Sequence, residues 1–361
     1  MADNSKHSFD TKHSSMAHEI YNFVDDLRIA VETPMKIDAD FSRIMICGMG
    51  GSAIGGDIIK DCVIKESRYP ITVQRFPELP KWVNSRTFVI ISSYSGNTSE
   101  TLSMYHQATE KKCTIVIMTS GGELERLGKE RGDTIIKMKS GFQPRSALGL
   151  SLGYLAVIID ATCGTNCVQD IRMSLPALYR LRDKLSSDKS EAWKMAQSIS
   201  GRIPVIYSTA GIYASATRWK SQINENSKMM AFAGSVPEFN HNEIAGWSEG
   251  ELRSRCVLIL LYEISAHKAI RKMADASVAA LRRYGQDVKV IRIRGRTPLQ
   301  RTLRAVMIGD YVSLYLAHLQ GVDPMDIRSI NEFKKRLDKM LYPVKHAGRS
   351  MRRKRPTDKH L

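Results

Sequence analysis

Short apolar, β-branched runs alternate with helix-patterned stretches along most of this 361-residue chain, and that alternation limits the fold more than any other feature. Strand-like runs fall at about 43–47, 71–76, 87–92, 114–119 and 133–138, with helical periodicity at 52–63, 98–110 and 121–130 between them. A second series places strands at about 203–209, 229–233, 256–262 and 287–293 and helices at 212–226, 266–284 and 298–319. Helical crossovers of this length join parallel strands, so the expected class is α/β, with two doubly wound parallel sheets and helices on both faces. No residue-level repeat relates the two halves.

Two loops stand out within the first half. Thr87–Ile91 opens into Ser92-Ser93-Tyr94-Ser95-Gly96-Asn97-Thr98-Ser99-Glu100-Thr101, after which Leu102, Met104, Tyr105 and Ala108 share a helix face. A loop ending at a helix start presents unpaired N–H groups and the positive end of the helix dipole to an anion. Ser93, Ser95 and Thr98 add short hydroxyl donors. There is no lysine of the P-loop kind, and the same residues would serve as a helix cap and turn. Arg43–Cys47 opens into the second loop, Gly48-Met49-Gly50-Gly51-Ser52, followed by Gly55-Gly56-Asp57. Its glycines resemble a dinucleotide fingerprint only superficially, because the third falls late and no acidic residue closes the next strand at the expected distance.

Composition narrows the class. The chain is 43% hydrophobic and 25% charged, with no apolar run near the roughly 20 residues of a membrane span. The N-terminus is polar, without a secretory core, and six cysteines lie mostly in apolar surroundings; the expectation is a soluble cytoplasmic protein with no membrane association. Cys163 and Cys167 lack a second pair with zinc spacing, so neither a metal nor a cofactor is expected. Of the +17 net charge, the stretch from Lys345 to Leu361 carries +6. That basic tail reads as a solvated, disordered end, whose contact with nucleic acid would be non-specific; the remaining excess favours an anionic substrate.

Further along lie three polar elements. Pro144-Arg145 precedes an apolar helix at 147–161, where an arginine sits against the positive dipole end. The helix at 212–226 ends in Asn224-Glu225-Asn226, and Pro237-Glu238-Phe239-Asn240-His241-Asn242-Glu243 follows the next strand. The residues alone leave Glu225, Glu238 and Glu243 as rival bases, with His241 as a proton carrier.

These motifs together resemble the bifunctional phosphoglucose/phosphomannose isomerase family of the sugar isomerase (SIS) domain superfamily. The resemblance rests on Gly48–Ser52, Ser93–Thr98, Pro144-Arg145, Asn224-Glu225-Asn226 with His241 sixteen residues on, and Ile330-Asn331-Glu332-Phe333-Lys334 after Gly321-Val322-Asp323-Pro324. It implies two SIS-type, flavodoxin-like subdomains. It also implies metal-independent, cofactor-free interconversion of glucose 6-phosphate and fructose 6-phosphate, with mannose 6-phosphate as a second substrate, through ring opening and a cis-enediol. The roles implied are phosphate binding by Gly51, Ser52, Ser93, Ser95 and Thr98, proton abstraction by Glu225, ring opening by His241 and Lys334, and enediolate stabilisation by Arg145. A homodimer sharing His241 across its interface is implied too. Ile327 departs from the family, which has a threonine seven residues before the lysine, and bears on the choice between epimers. The alternatives are an isomerase of another sugar phosphate, such as an amino sugar or pentulose phosphate, and a non-catalytic phosphosugar sensor. The domain divisions expected are 1–40 (tail and helix), 41–165 (first SIS domain), 166–200 (helical connection), 201–322 (second SIS domain), 323–342 (lysine-bearing helix) and 343–361 (tail).

Overall fold

The structure is a computed structural model describing residues 15–187 and 189–341; the first fourteen residues and the basic tail lie outside the described residues. The chain divides into two compact units, Met1–Pro324 and Met325–Leu361.

The first unit begins with α1 (Ser15–Tyr21) and α2 (Phe23–Ala30). Backbone bonds of the i→i−4 type continue through Asn22, which joins them into the single amphipathic segment that the periodicity predicts. Five strands and three helices then alternate: β1 (Arg43–Cys47), α3 (Gly50–Val63), β2 (Ile71–Gln74), β3 (Thr87–Ser92), α4 (Ser99–Glu110), β4 (Thr114–Thr119), α5 (Gly122–Arg131) and β5 (Thr134–Lys137). They form one parallel sheet in the order β2-β1-β3-β4-β5, the flavodoxin-like order expected. Alternation along the strands covers both faces. Met45, Val89 and Ile91 pack with Met104, Tyr105 and Ala108 of α4, while Ile46 lies under Gly56 of α3.

Three helices follow, α6 (Leu148–Cys163), α7 (Cys167–Leu185) and α8 (Glu191–Ile199). All but two residues of α6 are buried, as its unbroken apolar pattern predicts, and α2 and α7 pack against it.

The second parallel sheet is built from β6 (Ile203–Thr209), α9 (Tyr213–Ser227), β7 (Phe232–Val236), α10 (Glu243–Ser248), β8 (Cys256–Glu263), α11 (Lys268–Arg283) and β9 (Val288–Ile293), with α12 (Pro298–Leu319) closing the unit. Its order is β7-β6-β8-β9. β7 starts three residues later than the apolar pattern suggests: Met229-Met230-Ala231 is the more apolar stretch, but the residues paired with β6 are Phe232–Val236. Pairing selects the strand here, and an edge position tolerates its glycine and serine.

The contact of α9 with α12 sets up the site. A side chain at Gly309 would meet the Trp219 ring at 2.3 Å, so glycine lets the indole lie on the bare backbone of α12. Trp219 is fully buried and donates Nε1–H to the Ala305 carbonyl at 2.7 Å. Its ring fixes the rotation of α9, and therefore the direction of the last turn of α9.

The second unit contains α13 (Arg328–Leu341), whose start is capped by the Asp326 carboxylate accepting from the Arg328 N–H at 2.9 Å. Ile327 precedes this helix and is half-buried; Lys334 lies on it and is exposed.

Candidate active site

β1 and β3 are neighbours, and the strand order reverses between them, so the crevice at their carboxyl ends is the topological switch point of the first sheet. Both distinctive loops leave from there. α3 starts at Gly50 after Met49 and α4 at Ser99 after Thr98, and neither helix start is capped by a side chain. Thr98 therefore does not play the capping role open to it; its Oγ1 instead accepts from the Ser93 hydroxyl at 3.3 Å. Ser52 N–H donates to the Met49 carbonyl at 2.9 Å, while no side-chain cap takes the other first-turn N–H groups of the two helices, which can meet an anion. Ser52 Oγ accepts from Tyr94 N–H at 3.3 Å, which ties one loop to the other, and Ser95 Oγ accepts from Asn97 N–H at 3.3 Å.

Gly51 joins these loops to the arginine. A Cβ on Gly51 would stand 2.9 Å from the Pro144 carbonyl oxygen and 3.0 Å from Arg145 Cα, a close approach that only glycine allows. Tyr94 holds the same segment from the other side: its hydroxyl donates to the Lys139 carbonyl at 3.0 Å and accepts from Phe142 N–H at 2.8 Å. Glu19 of α1 adds a third tether, accepting from Gln143 N–H at 3.3 Å.

Arg145 is 3% exposed. Its Nη1 donates to Glu225 Oε1 at 2.7 Å and to Gln143 Oε1 at 3.4 Å, its Nε to Asn226 Oδ1 at 2.7 Å, and its Nη2 to the Pro324 carbonyl at 2.5 Å. Burial pulls the guanidinium below its ordinary pKa and the Glu225 carboxylate pulls it back up; it remains a cation. Glu225 lies on the last turn of α9 with its side chain 29% exposed. Arg145 supplies its only side-chain hydrogen bond among the described residues, and Oε2 is left for another partner.

The rival carboxylates are placed differently. Glu243 accepts from the Tyr207 hydroxyl at 2.6 Å, and that oxygen in turn accepts from Trp247 Nε1 at 3.1 Å. Glu238 accepts from Asn242 Nδ2 at 3.0 Å on an exposed turn. Neither touches an arginine, so of the three only Glu225 stands beside a buried cation. His241 ends the short turn after β7, is exposed, and its side chain makes no hydrogen bond or ion pair among the described residues. Lys334 and Ile327 belong to the second unit.

Sequence reading does not single out Tyr94's anchoring role, nor Arg218, Asp310 and Ser313, which lie behind Arg145. A signal was present: Arg218, Gln222 and Asn226 recur every four residues on one side of α9, and Asp310 is the sole acid in the apolar run Ala305–Leu316.

Two doubly wound parallel sheets with hydroxyl- and glycine-bearing loops at the first switch point define a SIS-fold protein. The fold matches the C-terminal domain of glucosamine-fructose-6-phosphate aminotransferase from Francisella tularensis with a TM-score of 0.69 at 14% identity, over 87% of this chain and 99% of that one. Residues 188–337 match the family described as the bacterial phospho-glucose isomerase C-terminal SIS domain. The chain is 34% identical over 334 residues to a bifunctional phosphoglucose/phosphomannose isomerase of Caldicellulosiruptor bescii, covering 89% of this chain and 98% of that protein. It is 35% identical over 324 residues to the protein of the same name from Aquifex aeolicus, covering 89% and 99%. The chain belongs to the bifunctional phosphoglucose/phosphomannose isomerase family.

Proposed function

We propose that this protein is an aldose–ketose isomerase that interconverts fructose 6-phosphate with glucose 6-phosphate and with mannose 6-phosphate. The observation that carries the reading is the contact of Arg145 Nη1 with Glu225 Oε1 at 2.7 Å, beside the two phosphate-type loops. A carboxylate with one oxygen on a buried cation and the other unclaimed is suited to taking a proton from carbon.

The phosphate sits at the starts of α3 and α4, held by N–H groups and the hydroxyls of Ser52, Ser93, Ser95 and Thr98. His241 and Lys334 move protons on the ring oxygen and the O1 hydroxyl to open the pyranose. Glu225 Oε2 takes the C2 proton as a general base, a role that requires it to lie within about 3 Å of that hydrogen. The C2–H electron pair becomes the C1–C2 double bond of a cis-enediol, and the carbonyl π pair moves onto O1. Return of the proton to C1, with the proton of O2 passing to O1, closes the C2=O2 carbonyl and gives the ketose. Arg145 stabilises the negative charge on the enediolate oxygens. This sequence needs neither metal nor cofactor.

A homodimer in which His241 serves the partner's site follows from the same resemblance. Supporting it, the His241 side chain has no polar partner among the described residues, and the edge strand β7 begins beside exposed Met230 and Phe232, 65% and 53% accessible. We place the enzyme in the cytoplasm, in keeping with six free cysteines, five of them buried. Contact of the basic tail with nucleic acid is non-specific on this reading.

A coupled assay on fructose 6-phosphate that resolves the two aldose products tests the proposal. Both are expected, with chelator present. Glucose 6-phosphate alone would contradict the bifunctional reading and point to Ile327; neither product, with sugar phosphate still protecting the protein from melting, would favour a sensor or another substrate.

A further inference from the structure

Behind the Arg145–Glu225 pair the structure closes a circuit of hydrogen bonds. Arg145 Nε donates to Asn226 Oδ1 at 2.7 Å, and Asn226 Nδ2 donates to Ser313 Oγ at 2.9 Å. Ser313 Oγ donates onward to the Asp310 carbonyl at 2.7 Å. The Asp310 carboxylate takes Nε and Nη2 of Arg218 at 3.1 and 3.0 Å, and Arg218 Nη2 returns to the Arg145 carbonyl at 2.8 Å. None of the five residues is more than 4% exposed. Each donor along the path has a defined direction: with Arg145 on its oxygen, Asn226 must turn its NH₂ to Ser313, whose single proton then goes to the carbonyl.

The circuit governs how Arg145 meets Glu225. A guanidinium facing a carboxylate tends to donate twice, in the parallel fork–fork geometry. Here that geometry is not formed. Asn226 holds Nε, one half of the Nε/Nη2 edge that makes the fork in Arg218, and the Pro324 carbonyl accepts from Nη2, so Glu225 is met through Nη1 alone. A fork would place an N–H on both carboxylate oxygens, taking one lone pair of each and lowering the basicity of the oxygen that meets the substrate hydrogen. Asn226 is also the residue after Glu225, so the group that holds Nε and keeps the Nε/Nη2 edge off the carboxylate is fixed to the same helical turn as the base.

We propose that Asn226, backed by Ser313, Asp310 and Arg218, is a positioning device that restricts Arg145 to a single contact with Glu225 and so keeps Oε2 free for proton transfer. This rests on the isomerase reading above. The Asn226 side chain hydrogen-bonds to Arg145 and Ser313 and to neither phosphate loop, so its loss acts on turnover rather than on phosphate binding.

The test is steady-state kinetics of the full-length enzyme on fructose 6-phosphate, with folding checked by circular dichroism. Asn226→Ala is expected to lower kcat at least tenfold with KM within about threefold of wild type. In an Arg145→Lys background, which has no fork to restrain, the same change is expected to cost less than threefold. A folded Asn226→Ala enzyme that keeps kcat within threefold, or that loses the same factor in both backgrounds, overturns the positioning role. If Asn226→Ala does not fold, Ser313→Ala carries the test: a kcat loss of about fivefold at unchanged KM is expected, and unchanged kcat overturns the inference. Wild-type enzyme inactive on all three hexose 6-phosphates would overturn the isomerase reading instead, a result distinct from an active wild type with an insensitive variant.

Discussion

Gly51 and Arg145 touch backbone to backbone: a single methyl group on Gly51 would stand 3.0 Å from Arg145 Cα. The start of α3, where we propose that the phosphate sits, is thereby seated on the segment that carries the guanidinium. Gly51→Ala must push the two apart, at about 1–3 kcal/mol of overpacking. We expect kcat/KM on fructose 6-phosphate to fall at least tenfold, with KM rising and kcat falling together, because one displacement disturbs both phosphate and enediolate binding. Unchanged kinetics in a folded variant would separate the loop from the arginine.

The ion pair between Arg218 and Asp310 is 3% and 6% exposed at its side chains. Removing one partner strands a buried charge, so Asp310→Ala is expected to destabilise the protein by about 3–5 kcal/mol. Arg218→Met with Asp310→Leu should cost less stability than Asp310→Ala alone, yet still lower kcat, because the donor to the Arg145 carbonyl is gone. Chemical denaturation and kinetics on the same preparations distinguish the two effects.

Tyr94 belongs to the serine loop but holds the Lys139–Phe142 segment with its hydroxyl. Tyr94→Phe removes both bonds and leaves Phe142 N–H to find another partner. A stability loss of about 1–3 kcal/mol is expected in thermal or urea unfolding, with a several-fold drop in kcat/KM. A loss of stability with full activity would show that the tether plays no part in holding Arg145.

Asp26 of α2 is buried with Oδ2 unpartnered, and its carboxyl is pushed up from 3.8 to about 6, by burial first and then by Asp25 and Glu19, against the pull of Lys139. Between those two values the folded chain holds a proton that the unfolded chain has lost. Stability from this group is therefore greatest below about pH 4 and declines as pH rises to about 6, where the full cost of burying the charge is reached. Asp26→Asn should remove that decline and raise the unfolding free energy at pH 7 by about 1–2 kcal/mol relative to wild type. A difference between the two proteins that does not change with pH would contradict the assignment.

The strands of the first sheet were legible because each carries a short run rich in apolar, β-branched residues set off by polar turns, and Thr87–Ser92 and Thr114–Thr119 end where the pattern says. β7 was less so, since pairing with β6 rather than apolarity selects Phe232–Val236. The pocket residues were visible as types in unusual places: hydroxyls after β3, an arginine at a helix start, a glutamate between asparagines. Their grouping was not. Arg145 meets Asn226 81 residues away and Pro324 179 residues away, and no local pattern records such distances. Choosing Glu225 over Glu238 and Glu243 from residues alone fails for the same reason, because what separates them is the burial of a cation brought by another segment. The supporting ring of Arg218, Asp310 and Ser313 left only a four-residue polar spacing on α9 and one acid in an apolar helix.

The most direct measurement is turnover of fructose 6-phosphate in D₂O by wild-type enzyme and by Glu225→Gln, with deuterium at C2 of the aldose products followed by NMR. The account predicts that wild type forms glucose 6-phosphate and mannose 6-phosphate, both carrying solvent deuterium at C2, while Glu225→Gln melts like wild type, still binds the sugar phosphate, and turns over at least a thousandfold more slowly. A folded Glu225→Gln enzyme within tenfold of the wild-type rate would contradict it, because the proton would then be moved by another group.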